Sequence, residues 1–306
     1  MPLAYAGPPD PTGLRVLSAW TLDPAMVALI VALGIAYAVG LRRARTPWPP
    51  RRTVAFAAGL VVIALATMSG LGDYAHALFS VYTVQIVLLL MVAPLLLAAG
   101  RPIGLAQVSL PEPAAERLSA ILASRPARVL TSPLISPVFL AAVPFALYFT
   151  GWYADTLVSY PQYELLHVAL LAVGFVVQYP LWEPAEYGYP YPVLLLFAFI
   201  ELLIDAVPGI VLRLETHLVA PAYYLALGRG WGPTPLGDQH MGADILWCVA
   251  ETIDLPFLIL FLVRWVQADR VEAARSDAAE PEDEDGRPWW ERDASVFGDR
   301  AARFRR

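Results

Sequence analysis

The sequence predicts an all-α membrane protein, a seven-transmembrane-helix bundle with its N-terminus outside and its C-terminus cytoplasmic. Three observations predict it. The 306 residues are 58% hydrophobic and 16% charged, against about a quarter charged in an ordinary soluble domain, and the mean hydropathy is +0.56. Seven runs approach the roughly 20 apolar residues that a helix needs to cross a hydrocarbon core. All 21 basic residues are arginine, and most of them fall on one side of those runs.

The first run, 24–41, follows residues 1–23, which lack the basic flank of a signal peptide; the run is therefore expected to be retained, behind a short extracytoplasmic segment. The second run is 53–71. The third, 78–100, contains the clearest span, FSVYTVQIVLLLMVAPLLLAAG. Runs 133–152, 163–182, 193–213 and 241–265 complete the set, the last two being the most polar. Pro94, Pro137, Pro144, Pro208 and Pro256 fall inside runs, which membrane helices tolerate because neighbouring elements re-satisfy the freed carbonyls.

Arginine sets the orientation, since cytoplasmic flanks carry the basic excess. Arg42, Arg43, Arg45, Arg51 and Arg52 follow the first run, Arg101, Arg117, Arg125 and Arg128 the third, and Arg264, Arg270 and Arg275 the last. Only Arg15, Arg213 and Arg229 lie on the other side. The transmembrane domain is thus residues 24–266. Within its cytoplasmic segment 101–131, Ser109-x-x-Glu112 reads as a capping box, and Leu118, Ile121 and Leu122 as one apolar face, predicting a short amphipathic helix on the membrane surface. Residues 267–306 hold eleven acids and eight arginines and are expected to be a flexible cytoplasmic tail. Trp289, Trp290, Phe297 and Phe304 are its exception, suited to a membrane surface or a partner.

In this threading all four histidines reach the outer side. His76 lies between spans 2 and 3, His167 one turn into span 5, and His217 and His240 between spans 6 and 7, with Met241 beside the last. Imidazole and thioether together suit copper, whereas carboxylate and water suit magnesium or calcium. The structural alternative is that each histidine hydrogen-bonds its own loop. No Cys-x-x-Cys pair exists, and Cys248 reads as a small packing residue.

A second set is acidic. Glu201 and Asp205 are four apart on span 6; Asp244, Glu251 and Asp254, with Trp247, follow a 3–4 spacing on span 7, and Asp73 and Asp238 stand at the outer ends. An intramembrane carboxylate costs about 2.5–3.5 kcal/mol on insertion scales, so these are expected to face the bundle. They form either a proton or metal path leading inward or an inter-helix clamp with Gln85, Gln178 or Tyr82. Tyr187, Tyr189 and Tyr191 with Trp182 read as an interfacial aromatic belt. Nothing resembles a phosphate loop, a nucleophile elbow or a nucleic-acid patch, so neither catalysis nor nucleic-acid binding is expected.

The run Phe79-Ser80, Val84-Gln85, Val92-Ala93-Pro94-Leu95-Leu96 and Gly100-Arg101-Pro102 resembles the third-span signature of the seven-helix cytochrome c oxidase assembly factors called CtaG, the caa3-associated type. Trp20 with Asp23-Pro24, Arg42-Arg43, Trp48-Pro49, Ala55-Phe56 with Gly59, Gly174 with Pro180, and Asp238-Gln239 with Gly242 and Trp247 extend the resemblance over about residues 20–275. It implies a multi-pass protein of the bacterial plasma membrane that works with cytochrome c oxidase subunits and handles copper on the outer side. One departure stands out. Where that family has a His-Met-x-Gln-His string, this chain reads Tyr82-Thr83-Val84-Gln85-Ile86. Either a copper site has been rebuilt around His76, His167 and His240, or the bundle serves as an oxidase-bound scaffold; a copper or proton transporter using the carboxylates is the third reading.

Overall fold

The structure, a computed structural model, describes residues 7–11, 19–132, 136–182 and 191–279. It divides into two units, residues 1–261 and 262–306; the described part of the second, 262–279, is helical.

Helix α1 (Pro24–Arg43) starts where Asp23 Oδ1 accepts the N–H groups of Ala25 and Met26, with proline at the first helical position, and ends on Arg42 and Arg43. Each of these choices matches what a helix end requires. Helix α2 (Pro50–Met68) is followed at once by the short α3 (Gly70–Ala75), which Ser69 Oγ caps at Leu71. The third span is built in three pieces: α4 (Phe79–Val87), a π-helical turn over Leu88–Val92, and α5 (Ala93–Ala99). Then come α6 (Pro102–Ser109), α7 (Glu112–Leu122), α8 (Arg125–Leu130), α9 (Ser136–Phe149), α10 (Trp152–Val158), α11 (Tyr160–Gln178), α12 (Tyr191–Leu214), α13 (Pro221–Leu227) and α14 (Pro235–Ala279).

Four stretches among the described residues are long and apolar enough to cross a membrane: α1, α2, Phe79–Ser109 and α11. The fourth expected span is a bent pair. From Val138 to Val158 it turns by 67° between α9 and α10, at Gly151, whose φ of +84° is a left-handed conformation that a side chain disfavours. Counted as one, this pair makes a fifth. Helices α12 and α14 occupy the positions of the expected sixth and seventh spans, and α14 runs on to Ala279, into the segment expected to be a tail. Tyr187, Tyr189, the side chain of Tyr191 and the aromatic residues from Trp289 onward lie outside the described residues.

Segment 101–131 forms three short helices; the expected amphipathic helix is the second of them, α7, which carries Leu118, Ile121 and Leu122 but starts at Glu112 without the capping box. Leu110 precedes Pro111 and is therefore pushed to an extended ψ of 152°, which ends α6 at Ser109. Ser109 Oγ then donates back to the Ala106 carbonyl. No residue of α7 is buried. The Arg45 guanidinium donates to the Leu110 carbonyl, tying this segment to the end of α1.

Pro94 governs the middle of the bundle. It has no N–H to offer the Leu90 carbonyl four residues earlier, and the helix widens into its π turn over Leu88–Val92. From α11, the buried Gln178 Nε2 donates to the carbonyls of Leu90 at 3.2 Å and Met91 at 2.9 Å. The helices can approach that closely because residue 174 is glycine. A Cβ there would lie 2.0 Å from the Leu90 carbonyl oxygen and 2.7 Å from Pro94 Cγ. Gln85, also buried, does similar duty higher up: its Nε2 donates to the Ala66 carbonyl and its Oε1 accepts from the Tyr163 hydroxyl.

Two outcomes are expected from this packing. Gly174→Ala should lower stability by about 1–3 kcal/mol through overpacking. Gln178→Leu should cost about 1–3 kcal/mol by stranding buried carbonyls. Both are read as thermal unfolding of the detergent-purified chain, and Gln178→Asn should recover less than half of the loss because its amide is one methylene short.

Candidate metal centre

Helix α11 begins with Tyr160-Pro161 and carries Tyr160, Tyr163, Glu164 and His167 at a 3–4 spacing, which places them on one face. His167 is 1% exposed and Glu164 9%. His167 Nδ1 stands 3.7 Å from Glu164 Oε1, too far for a hydrogen bond. Neither oxygen of Glu164 and neither ring nitrogen of His167 has a hydrogen-bond partner.

Asp23, the cap of α1, completes the group. One ligand atom from each of Asp23, Glu164 and His167 lies within 4.8 Å of the others, and this is the only such group of three or more His, Cys, Asp and Glu side chains among the described residues. The segment that carries Asp23 is stitched to the corner of α2 and α3: Thr21 N–H donates to the Met68 carbonyl, and Thr21 Oγ1 donates to Asp73 Oδ1. Tyr160 Oη donates to Asp23 Oδ1 at 3.0 Å, holding the loop against α11. Beside the group a cleft of about 650 Å³ is lined by Asp23, Asp73, His76, Tyr160 and Tyr163, among others.

His76 shares this neighbourhood without joining the group. The Tyr163 ring sits 4.7 Å from the His76 ring and 4.1 Å from that of His167. Burial pushes the His76 imidazole down, further than the Gly72 carbonyl pulls it up, which favours its neutral form.

The remaining expected residues are spread over other contacts. His217 is on the surface, 3.1 Å from Glu215. His240 Nε2 donates to the Glu215 carbonyl at 2.9 Å, and Met241 is 48% exposed. Asp238 is a buried clamp: Oδ2 accepts Phe79 N–H at 2.7 Å, and Oδ1 accepts the Ser80 hydroxyl at 2.5 Å and the Ser80 N–H at 3.4 Å. Gln239 follows suit, accepting Val219 N–H and donating to the His217 carbonyl. Asp244 pairs with Arg213 at 3.1 Å, and Glu251 accepts from Trp247 Nε1. Asp205 is buried on α12 with Glu201 one turn before it; the side chain of Asp254 lies outside the described residues. Gln85, Gln178 and Tyr82 do clamp helices, though their hydrogen bonds go to carbonyls, Tyr163 and Thr156. Cys248 is exposed where packing was expected.

The third span carries no soft donor at the divergent string. Tyr82 is buried with its hydroxyl on Thr156 Oγ1, and Ile86 is 1% exposed within the core. The family described as cytochrome c oxidase caa3 assembly factor (Caa3_CtaG) matches residues 35–268. The chain belongs to this family. Curated relatives of this CtaG-family chain include uncharacterized proteins of Mycobacterium bovis and Mycobacterium tuberculosis, each 31% identical over 288 residues, covering 90% of this chain and 43% of the relative. A third, from Mycobacterium leprae, is 29% identical over 289 residues, covering 90% and 44%. The chain therefore spans less than half the length of the curated relatives it matches. No solved structure matches it.

Glu164 and Asp23 escaped the sequence reading as site residues. The available signal was Glu164-x-x-His167, the carboxylate and imidazole spacing by which bundle proteins present two ligands from one helix. Asp23 carried no such signal, because a cap aspartate before proline explains itself locally.

The Asp238 clamp predicts a stability effect separate from any metal. Asp238→Ala should cost about 2 kcal/mol or more, since it removes a helix cap and leaves buried donors unpaired, whereas His217→Ala should change the unfolding midpoint little.

Proposed function

We propose that this CtaG-family chain is a membrane-embedded, non-catalytic assembly factor for a haem-copper cytochrome c oxidase, and that it handles copper at the end of the bundle where Asp23, His76 and His167 lie. Family membership over residues 35–268 carries the reading. The apolar outward faces of α1, α2 and α11, where Val31, Ile35, Val61, Leu65 and Leu165 are exposed, support a lipid environment. The arginine asymmetry supports an outside N-terminus, a cytoplasmic C-terminus and seven crossings of a bacterial plasma membrane, with α12 and α14 as the sixth and seventh. The metal end would then face outward, where a copper centre of an oxidase is assembled.

A second reading, a scaffold bound to oxidase subunits without metal, is favoured by the structural employment of Asp238, Gln239 and His240 and by the donor-poor third span. The two readings share a partner and differ in the metal. Affinity capture of the tagged chain from its native membrane should bring down oxidase subunits, and loss of the chain should reduce the copper content of the isolated oxidase by severalfold. Oxidase with unchanged copper and normal subunit recovery would reject the assembly role. A phosphatase reporter joined after Arg306 should stay inactive; activity there would reverse the threading.

A further inference from the structure

The geometry points to a divalent transition-metal site formed by Asp23, Glu164 and His167, one that selects against the cuprous ion. It rests on the reading that metal is handled at this end of the bundle, and it names the ion class and its ligands. Two independent observations meet here. The three side chains present ligand atoms within 4.8 Å of one another. And the buried Glu164 and His167, which would ordinarily be hydrogen-bonded, have no partner on any of their four polar side-chain atoms.

Ligand atoms about 2.1 Å from a tetrahedral ion stand about 3.4 Å apart. The observed 3.7 Å between His167 Nδ1 and Glu164 Oε1 is close to that, and the Asp23 carboxylate lies within 4.8 Å of both. Its three hydrogen bonds, from Ala25, Met26 and Tyr160, all engage Oδ1, so Oδ2 is the atom to offer. The donor set is two oxygens and one nitrogen, with no sulfur. Such a set holds divalent zinc, cobalt or cupric ions and gives no preference to cuprous copper, for which thiolate and thioether are the selective ligands. Two carboxylates also neutralise a doubly charged ion. Asp23 also lines the cleft with Asp73 and His76, and an ion would reach the group from that side. His76 is held off by the Tyr163 ring and is not counted as a ligand.

The full chain, purified in detergent and stripped with chelator, is titrated with Co²⁺, whose visible absorption reports coordination. One equivalent should bind with the intense bands of a four-coordinate site, and Zn²⁺ should displace it. Glu164→Gln and His167→Gln should each weaken binding at least tenfold, and the double variant should abolish the bands. Asp23→Asn, which keeps the cap on α1, should weaken binding and retain the unfolding midpoint, so that loss of ligand is separated from loss of fold. Cuprous ion supplied under reductant should compete more weakly than Zn²⁺. The inference is overturned if wild-type protein binds no more Co²⁺ than the double variant, if binding depends on His217 and His240 instead, or if cuprous ion binds more tightly than Zn²⁺. A chain that captures oxidase subunits yet binds no Co²⁺ overturns this inference and leaves the assembly role standing. One that binds Co²⁺ here and captures no oxidase does the reverse.

Discussion

The fold depends on one constraint: in an apolar bundle each backbone carbonyl or amide freed from its helix must be met by another part of the same chain. Pro94 breaks the third span, and the consequences propagate outward. The helix widens into a π turn, Gln178 crosses from α11 to take the freed Leu90 and Met91 carbonyls, and Gly174 removes the side chain that would have blocked that approach. At the other end of the same span, the first-turn amides of Phe79 and Ser80 are met by Asp238 from α14. Asp238, which in one dimension stands with the acidic set, is in three the stitching of this span to α14.

The same accounting separates the candidate metal group from the rest. Asp238, Gln239, His240, Asp244 and Glu251 each have a hydrogen-bonded or ionic partner that explains their presence. Glu164 and His167 are buried without a hydrogen-bond partner and face each other at 3.7 Å. Unsatisfied buried polar groups are costly, and a pair of them facing a third carboxylate is an arrangement that a cation resolves. The chemistry attaches to the residues that the fold leaves unexplained.

Family membership and local chemistry bear on different parts of the chain. Membership rests on residues 35–268, and within that range Gln85 and Gly174 let the third span pack against α2 and α11. At the string Tyr82-Thr83-Val84-Gln85-Ile86, Tyr82 and Ile86 are absorbed into the core. Asp23, which precedes the matched region, joins Glu164 and His167 across the mouth of the cleft. A bundle can keep its packing while the donors around it change, because the two depend on different side chains.

The helical architecture was legible in the residues themselves: apolar runs of the right length, caps such as Asp23-Pro24, and the last-turn arginines Arg42 and Arg43 are local signals, and local helix formation obeys them. Other features were not legible, for physical reasons. Leu110-Pro111 moved the start of the expected amphipathic helix to Glu112 because a steric effect one residue ahead of proline outweighed a capping pattern, and Gly151 bent the fourth span through a backbone angle that composition does not announce. That Asp238 caps a helix 158 positions away, that His217 and His240 find partners near Glu215, and that Asp23 meets Glu164 and His167 were decided only when the helices packed. Spacing along one helix reveals which residues share a face, but which faces meet is settled by the joint fit of all of them.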